Sequence, residues 1–453
     1  MKEKNAKIDD GIATNLNKCG FLGIYILLAL LYFFCCSISS IIREKKGEIL
    51  EKLEISKKDI DLYGIILHCG RLLGAFLIIS YALMLKSFKK MEYFTPLSIL
   101  LKSICFLIYY KDLKKEDTIY VQLSIFFQGI FHSLINIFFP IWINHFINPR
   151  LQLLSLSISI GLSPSSDIVG IFISKFYNIR DCSLLLFIII LILTLIFLVI
   201  AYKYNNYFDL TISINRSTGE YERNFEINKE FIKHLNCETI FGSKNQNRWP
   251  FISIVFARAI LKFSFVGIHY CMKDYYDELD GDGKLNKMLI SYFPLIGLVI
   301  GAFLSFSECF KYNSTILIIS FLIGFTGVLT CFSNKFFFGI LIITFYSLAN
   351  LIIPTLIQKS FDCFEEKQLQ EISYTFNCFF YLLIGNLFSS GLNYLLQDNT
   401  NDLMYIYLLI VWANLFLIFI YIYKIKMKKE NPSSQTNLIQ TEGEELKEIV
   451  KKP

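Results

Sequence analysis

Arg258 and Lys262 stand one helical turn apart in a long apolar run, which puts two cations on one helix face. A Lys or Arg at mid-bilayer costs about 2.5–3.5 kcal/mol on insertion scales, so such groups need a partner or a water-filled cavity. If that face lines a cavity, the pair would receive an anion. If it does not, Arg258, the nearer to the helix end, would reach out to lipid headgroups. Arg71 lies in another apolar run beside Gly70 and Gly74, whose small size allows close helix packing. Asp167 is the only acid that reads as deep inside such a run. It is a candidate proton carrier, a counter-ion for Arg71, or a cavity-facing group. His132 shares a helix face with Asn136 and would either relay protons near neutral pH or serve as a hydrogen-bonded structural residue. Asn136 and Asn350 would contact a solute or hydrogen-bond neighbouring helices. Pro140 and Pro354, four residues further on, are expected to bend those helices and free backbone carbonyls.

These residues fall into a repeat. Gly70-Arg-Leu-Leu-Gly74-Ala-Phe-Leu77 returns 227 residues later as Gly297-Leu-Val-Ile-Gly301-Ala-Phe-Leu304. In the same order, Phe131-x-Ser133-Leu134-x-Asn136-x-x-x-Pro140-x-x-Ile143 returns 214 residues later as Phe345-x-Ser347-Leu348-x-Asn350-x-x-x-Pro354-x-x-Ile357. Two collinear echoes inside apolar runs imply a duplicated and fused membrane unit, a common plan in secondary transporters whose solute site lies between the halves.

Composition supports a membrane setting. The chain is 54% hydrophobic and 18% charged, more apolar surface than a soluble domain of 453 residues can hide. The net charge is +6, and no basic run interleaves with aromatics as a nucleic-acid surface requires. The twelve cysteines sit mostly in apolar segments without CxxC or Cys/His spacing, so they read as packing residues and neither metal nor cofactor is expected. The acidic loop from Asp274 to Gly283 lacks the Glu that a calcium loop needs at its twelfth position and reads as a solvated loop.

Apolar runs long enough to cross a bilayer number twelve: 20–42, 62–85, 94–110, 120–147, 151–174, 183–202, 249–272, 286–306, 314–332, 335–357, 371–396 and 402–423. The second half begins after a polar stretch, 203–248, which reads as a cytosolic linker. The expected division is a tail at 1–19, a six-helix bundle at 20–202, the linker, a six-helix bundle at 249–423 and a tail at 424–453. The polar N-terminus lacks the early apolar core of a cleavable signal. Segment 94–110 is short and carries Lys102, and 151–174 is rich in Ser; losing either gives an eleven-helix alternative. Lys424, Lys426, Lys428 and Lys429 abut the last helix and favour both tails in the cytosol, although the short loops run against the positive-inside tendency. The sequons at Asn215 and Asn313 then face inward and go unused.

With this plan the chain resembles the major facilitator superfamily, and the likeness covers roughly residues 20–425 by the span-length rule. Gln128-Gly129, Phe139-Pro140, Pro149-Arg150, Gly161-x-x-Pro164 and Gly170 resemble that family's passage from the fourth to the fifth helix. The loop Leu85-Lys-Ser-Phe-Lys-Lys90 keeps the basic end of the family's motif after the second helix but not its Asp, and Ser307-Glu308 stands where Ser-Asp is often found. Residues 257–308 bear a weaker likeness to organophosphate exchangers, with Lys262 where a phosphate-binding Arg is found; the first helix lacks that family's partner Arg.

The resemblance implies an all-α protein with twelve transmembrane helices in two pseudo-symmetric bundles. It would move a small solute by alternating access, most simply an anionic one (organophosphate, phosphate or carboxylate), with proton or counter-anion coupling. Gly70, Gly74, Gly297, Gly301, Glu308, Pro140 and Pro354 would serve gating. A lysolipid or amphiphile carrier, an amino-acid carrier built on Asp167, and a non-transporting membrane scaffold are the alternatives. A monomer in the plasma membrane is expected, an organelle membrane being the alternative. No Walker motif or catalytic triad argues for an enzyme.

Overall fold

The computed structural model describes residues 18–85, 90–205, 208, 212–214, 221–223, 240–242, 247–278, 286–305, 307, 313–332, 335–364, 367–396 and 399–430. The helices are α1 (Lys18–Glu44), α2 (Lys46–Leu53), α3 (Lys57–Leu85), α4 (Met91–Phe106), α5 (Thr118–Phe146), α6 (Pro149–Ser165), α7 (Asp167–Phe176) and α8 (Ile179–Lys203). They continue as α9 (Arg248–Glu278), α10 (Asn286–Leu304), α11 (Asn313–Cys331), α12 (Lys335–Asp362), α13 (Lys367–Phe380), a π-helical segment (Tyr381–Phe388), α14 (Ser389–Leu395) and α15 (Thr400–Glu430). Between the halves, β1 (Ile212–Ile214) pairs antiparallel with β2 (Tyr221–Arg223).

Eleven described helical stretches are long and apolar enough to cross a membrane. The chain is therefore an integral, multi-pass, all-α membrane protein. The shortest apolar helix is Tyr292–Leu304 within α10, not the two segments that the sequence marks as weak. Both of those form. Segment 94–110 keeps its length because Lys102 is satisfied internally, as shown below. Segment 151–174 is two helices, α6 and α7, breaking at Ser166 just after Pro164. Of its serines, Ser159 and Ser166 donate to the carbonyls of Leu156 and Ser163, and Ser165 Oγ is buried without a partner among the described residues.

Local chemistry sets the boundaries. Asn148 caps α6 by accepting from the Arg150 amide, with Pro149 at the first helical position, where its missing N–H costs nothing. Asn178 caps α8 through the Asp181 amide, and the Glu48 carboxylate of α2 accepts from the Ile179 amide, tying that short helix to the start of α8.

The repeated glycines make repeated contacts. A Cβ on Gly70 would fall 2.1 Å from the Phe126 carbonyl oxygen, and one on Gly74 would fall 2.6 Å from that of Ile130 and 2.8 Å from Ser133 Oγ. Gly129 returns the contact from α5, 2.2 Å from the Leu67 carbonyl oxygen. In the second half Gly297 meets Tyr346 and Ser347, and Gly301 meets Ser347 and Asn350. Ser133 and Ser347 are the same position in the repeat, so α3 lies on α5 as α10 lies on α12. Between the halves, α6 packs on α10 and α12, and α3 packs on α13, the π segment and α14. Gly161 of α6 lies against Leu298 of α10.

Adding a methyl at Gly129 must separate α3 from α5, because the obstructing atoms are backbone. Gly129→Ala should cost about 1–3 kcal/mol, the usual range for overpacking. Gly64 of the same α3 has open space around it, so Gly64→Ala should leave the melting temperature in detergent unchanged or slightly raised. Equal melting temperatures for Gly129→Ala and wild type would refute close packing here.

Candidate functional site

Two cavities lie between the halves. The larger, about 180 Å³, is bounded by α1, α3, the α6–α7 break, α9 and the π segment. The smaller, about 40 Å³, is bounded by α1, α5, α6, α9, α12, α13 and the π segment. Lys262 and Ser163 line both, so the cavities meet at Lys262.

Lys262 and Arg258 point into this space from α9. The Lys262 stem lies on Gly385, where a Cβ would fall 2.6 Å from its Cγ, and its Nζ is 5.3 Å from the ring centres of both Tyr381 and Phe265. Arg258 is buried. It donates 2.9 Å to Asn377 Oδ1 and stacks on Tyr381 at 4.2 Å and Tyr374 at 5.2 Å. Aromatic faces stabilise a desolvated cation by about 2 kcal/mol but do not neutralise it. Arg71 reaches the larger cavity from α3, and the Nε atoms of Arg71 and Arg258 are buried without a hydrogen-bond partner among the described residues. No described carboxylate pairs with Arg71, Arg258 or Lys262. Tyr381 opens the π segment and Asn386 lies within it. Insertion of π-helix into a helix is frequent at functional sites, and here it turns residues of one strand of helix towards both cavities.

Of the readings open for Asp167, the pair with Arg71 does not form among the described residues, whereas the carboxylate does face the larger cavity. Asp167 begins α7, and its carboxylate is in salt-bridge contact with Arg43 at the end of α1. It lies 2.8 Å from His269 Nε2 of α9 and accepts 2.5 Å from Ser40 Oγ. His269 continues the chain, its Nδ1 lying 3.0 Å from the Tyr346 hydroxyl of α12. The break after Pro164 is the physical reason: it starts a new helix at Asp167 and turns the carboxylate towards α1 and α9 rather than α3. Asp167 thus joins the first half to the second.

A second junction lies at the other end of α1. Phe21 stacks on Phe146, and beside it His145 Nε2 of α5 lies 2.7 Å from Glu371 Oε1 of α13. Both side chains are buried, and the contact is off the hydrogen-bond direction. Asn144 donates to Gln370 Oε1 at 3.3 Å in the same layer. Glu371 is a further buried acid, at the start of the span Leu369–Leu395. From Phe21 to Arg43 the α1 axis rises roughly 33 Å, so the two junctions cap opposite ends of the cavity region.

Of the other expected residues, Asn136 and Pro140 line the smaller cavity. Asn350 does not line either cavity. It is fully buried under Gly301, its amide atoms have no partner, and its carbonyl accepts 2.6 Å from Ser157 Oγ of α6. That carbonyl is the one freed by Pro354, which has no N–H to give it. The helices α5 and α12 run on through both prolines. His132 is buried, with Nδ1 3.1 Å from both Lys102 Nζ and Cys35 Sγ. Glu308, the loop 86–89, residues 279–283 of the acidic stretch and Asn215 lie outside the described residues, and 274–278 end α9.

Sequence reasoning missed Arg43, His269, Tyr374, Tyr381 and the His145–Glu371 contact. One signal was available: four of the five histidines, His68, His132, His145 and His269, stand in apolar runs. No protein-family model matches the chain, and no curated protein matches it either.

The Asp167 geometry predicts a double-mutant cycle. Arg43→Gln with Asp167→Asn should show a coupling of about 0.5–3 kcal/mol in thermal stability, and Arg71→Gln with Asp167→Asn should show additivity. Strong coupling in the second cycle would refute the assigned partner.

Proposed function

We propose that this membrane protein is a secondary active or facilitative transporter of a small anionic organic solute, an organophosphate, phosphate or carboxylate, working by alternating access of two six-helix halves. The observation that carries this reading is Lys262, a cation without a carboxylate at the meeting point of two cavities between the halves. Arg258 and Arg71 add two more cations, whereas Asp167, the acid lining the larger cavity, is already held by Arg43 and His269. An anion offsets that excess positive charge, and the orphaned guanidinium N–H groups supply donors for it. The repeated contacts of α3 on α5 and α10 on α12 support two equivalent halves. The engagement of Asp167 weighs against an amino-acid carrier built on that residue.

The test is uptake into proteoliposomes of a panel of phosphate esters, inorganic phosphate and dicarboxylates. Lys262→Ala should lower uptake by about tenfold or more, the equivalent of losing one charge-assisted hydrogen bond. Lys262→Arg should keep part of it, because charge remains while geometry changes. Uptake by Lys262→Ala equal to wild type, with equal protein in the bilayer, would refute this site.

A further inference from the structure

A buried lysine outside both cavities is left unused by that reading. Lys102 lies in the body of α4 and is fully buried. Its Nζ donates 2.6 Å to the Cys35 carbonyl of α1 and lies 3.1 Å from His132 Nδ1 of α5. No described carboxylate pairs with it. The titratable groups around it are Cys35, Cys36 and, against the His132 ring, Tyr32 from α1; His132 from α5; and Arg71 from α3. Packed on the other side of α4, α8 carries no charged residue between Cys182 and Tyr202.

An ammonium stripped of water and lacking a carboxylate is costly, and a lysine can remove that cost by giving up a proton, as an arginine cannot. Arg71 adds repulsion between like charges. Both contacts of Lys102 lead to the cavities. Cys36, next to Cys35, lines the larger one, and Tyr32, stacked on the His132 ring at 6.0 Å between centres, lines the smaller. An anion docked on Arg71 and Lys262 would cancel the repulsion and place a negative charge beside this cluster.

We propose that Lys102 is a proton-binding site coupled to the anion: Nζ takes a proton from water as the anion docks and returns it when the anion leaves. The proposal rests on the anion reading above. Linkage makes the effect reciprocal, so lowering the pH tightens the anion and the anion draws in a proton. The Cys35 carbonyl accepts from the amine, and His132 Nδ1 lies within hydrogen-bond distance of it, so the two hold Nζ in place.

The probes are sulfate, methanesulfonate and benzenesulfonate, whose anions do not titrate near neutral pH, added to the purified full chain in weak buffer. Binding is read as thermal stabilisation and proton uptake as the pH change. Wild type should take up close to one proton per bound anion, and its affinity should fall about tenfold per pH unit across the coupled range. Lys102→Met should bind the same anion with no proton uptake and a flat pH profile. Lys102→Gln, which retains hydrogen bonding, serves if the methionine variant does not fold. Lys102→Arg keeps the cation without the exchangeable proton and should also lose the pH profile. Anion binding with unchanged proton uptake in Lys102→Met or Lys102→Gln overturns the role of Lys102 and leaves the anion reading intact. No stabilisation of wild type by any of the three, with none lost in Lys262→Ala, overturns the anion reading and this proposal with it.

Discussion

Charge inside a bilayer must be partnered or wet, and the arrangement of this molecule follows from that constraint. Each buried charge is answered differently. Arg43, Asp167 and His269 answer one another across the halves, and His145 with Glu371 does the same at the far end. Arg258 is wrapped by Tyr374 and Tyr381 and tied to Asn377. Lys102 donates to a helix carbonyl and lies against a histidine nitrogen. Arg71 and Lys262 face open space. The cavity is therefore what allows those two cations to exist where they are.

Holding such groups in register needs helices that approach closely. Lipid supplies no hydrophobic drive between helices, so backbone proximity and interhelical hydrogen bonds carry the packing. Glycines at 70, 74 and 129 bring α3 onto α5, and those at 297 and 301 bring α10 onto α12. Prolines then create acceptors. Pro354 leaves the Asn350 carbonyl free, and Ser157 from the other half takes it. Tyr25 donates to the Ser155 carbonyl in the same manner, joining α1 to α6. At Ser157 the junction between halves is thus stitched by a hydroxyl on a backbone oxygen, while Tyr25 makes the same kind of contact within the first half.

The membrane class and the helix limits were legible because bilayer thickness imposes a length on every apolar run, and the ends of α1, α5, α8 and α11 fall within a few residues of the expected ones. The glycine contacts were legible because a duplicated backbone approach demands the same small residue twice. Partner choice was not. A counter-ion for Arg71 was one of the readings open for Asp167, but the helix break before it decides where its carboxylate points, and its partner Arg43 stands one residue past the expected end of the first span. Asn136 and Asn350 occupy equal places in the repeat yet meet different surroundings: one lines a cavity and the other lies under Gly301. Equivalence in sequence fixes the helix pair, not what the facing half puts opposite. The π segment had no periodic signature, since one apolar helix of either pitch reads alike.

The two ends of the cavity region are built unequally. Towards Phe21 the space is filled by rings: Tyr25 against Phe139, Phe21 and Trp142 against Phe146, with His145 and Glu371 behind them. Towards Arg43 the closure is one polar layer, Arg43, Asp167, His269 and Tyr346, lining or bordering the larger cavity itself. Those rings all belong to α1 and α5, so parting the halves at this end separates the buried His145–Glu371 and Asn144–Gln370 contacts and leaves the rings together. Parting them at the other end separates His269 from Asp167 and the half-exposed Arg43, a layer that already borders the larger cavity. Under the transport reading the Arg43 end is therefore the one that opens at lower cost from this arrangement, because its polar groups are the nearer to water.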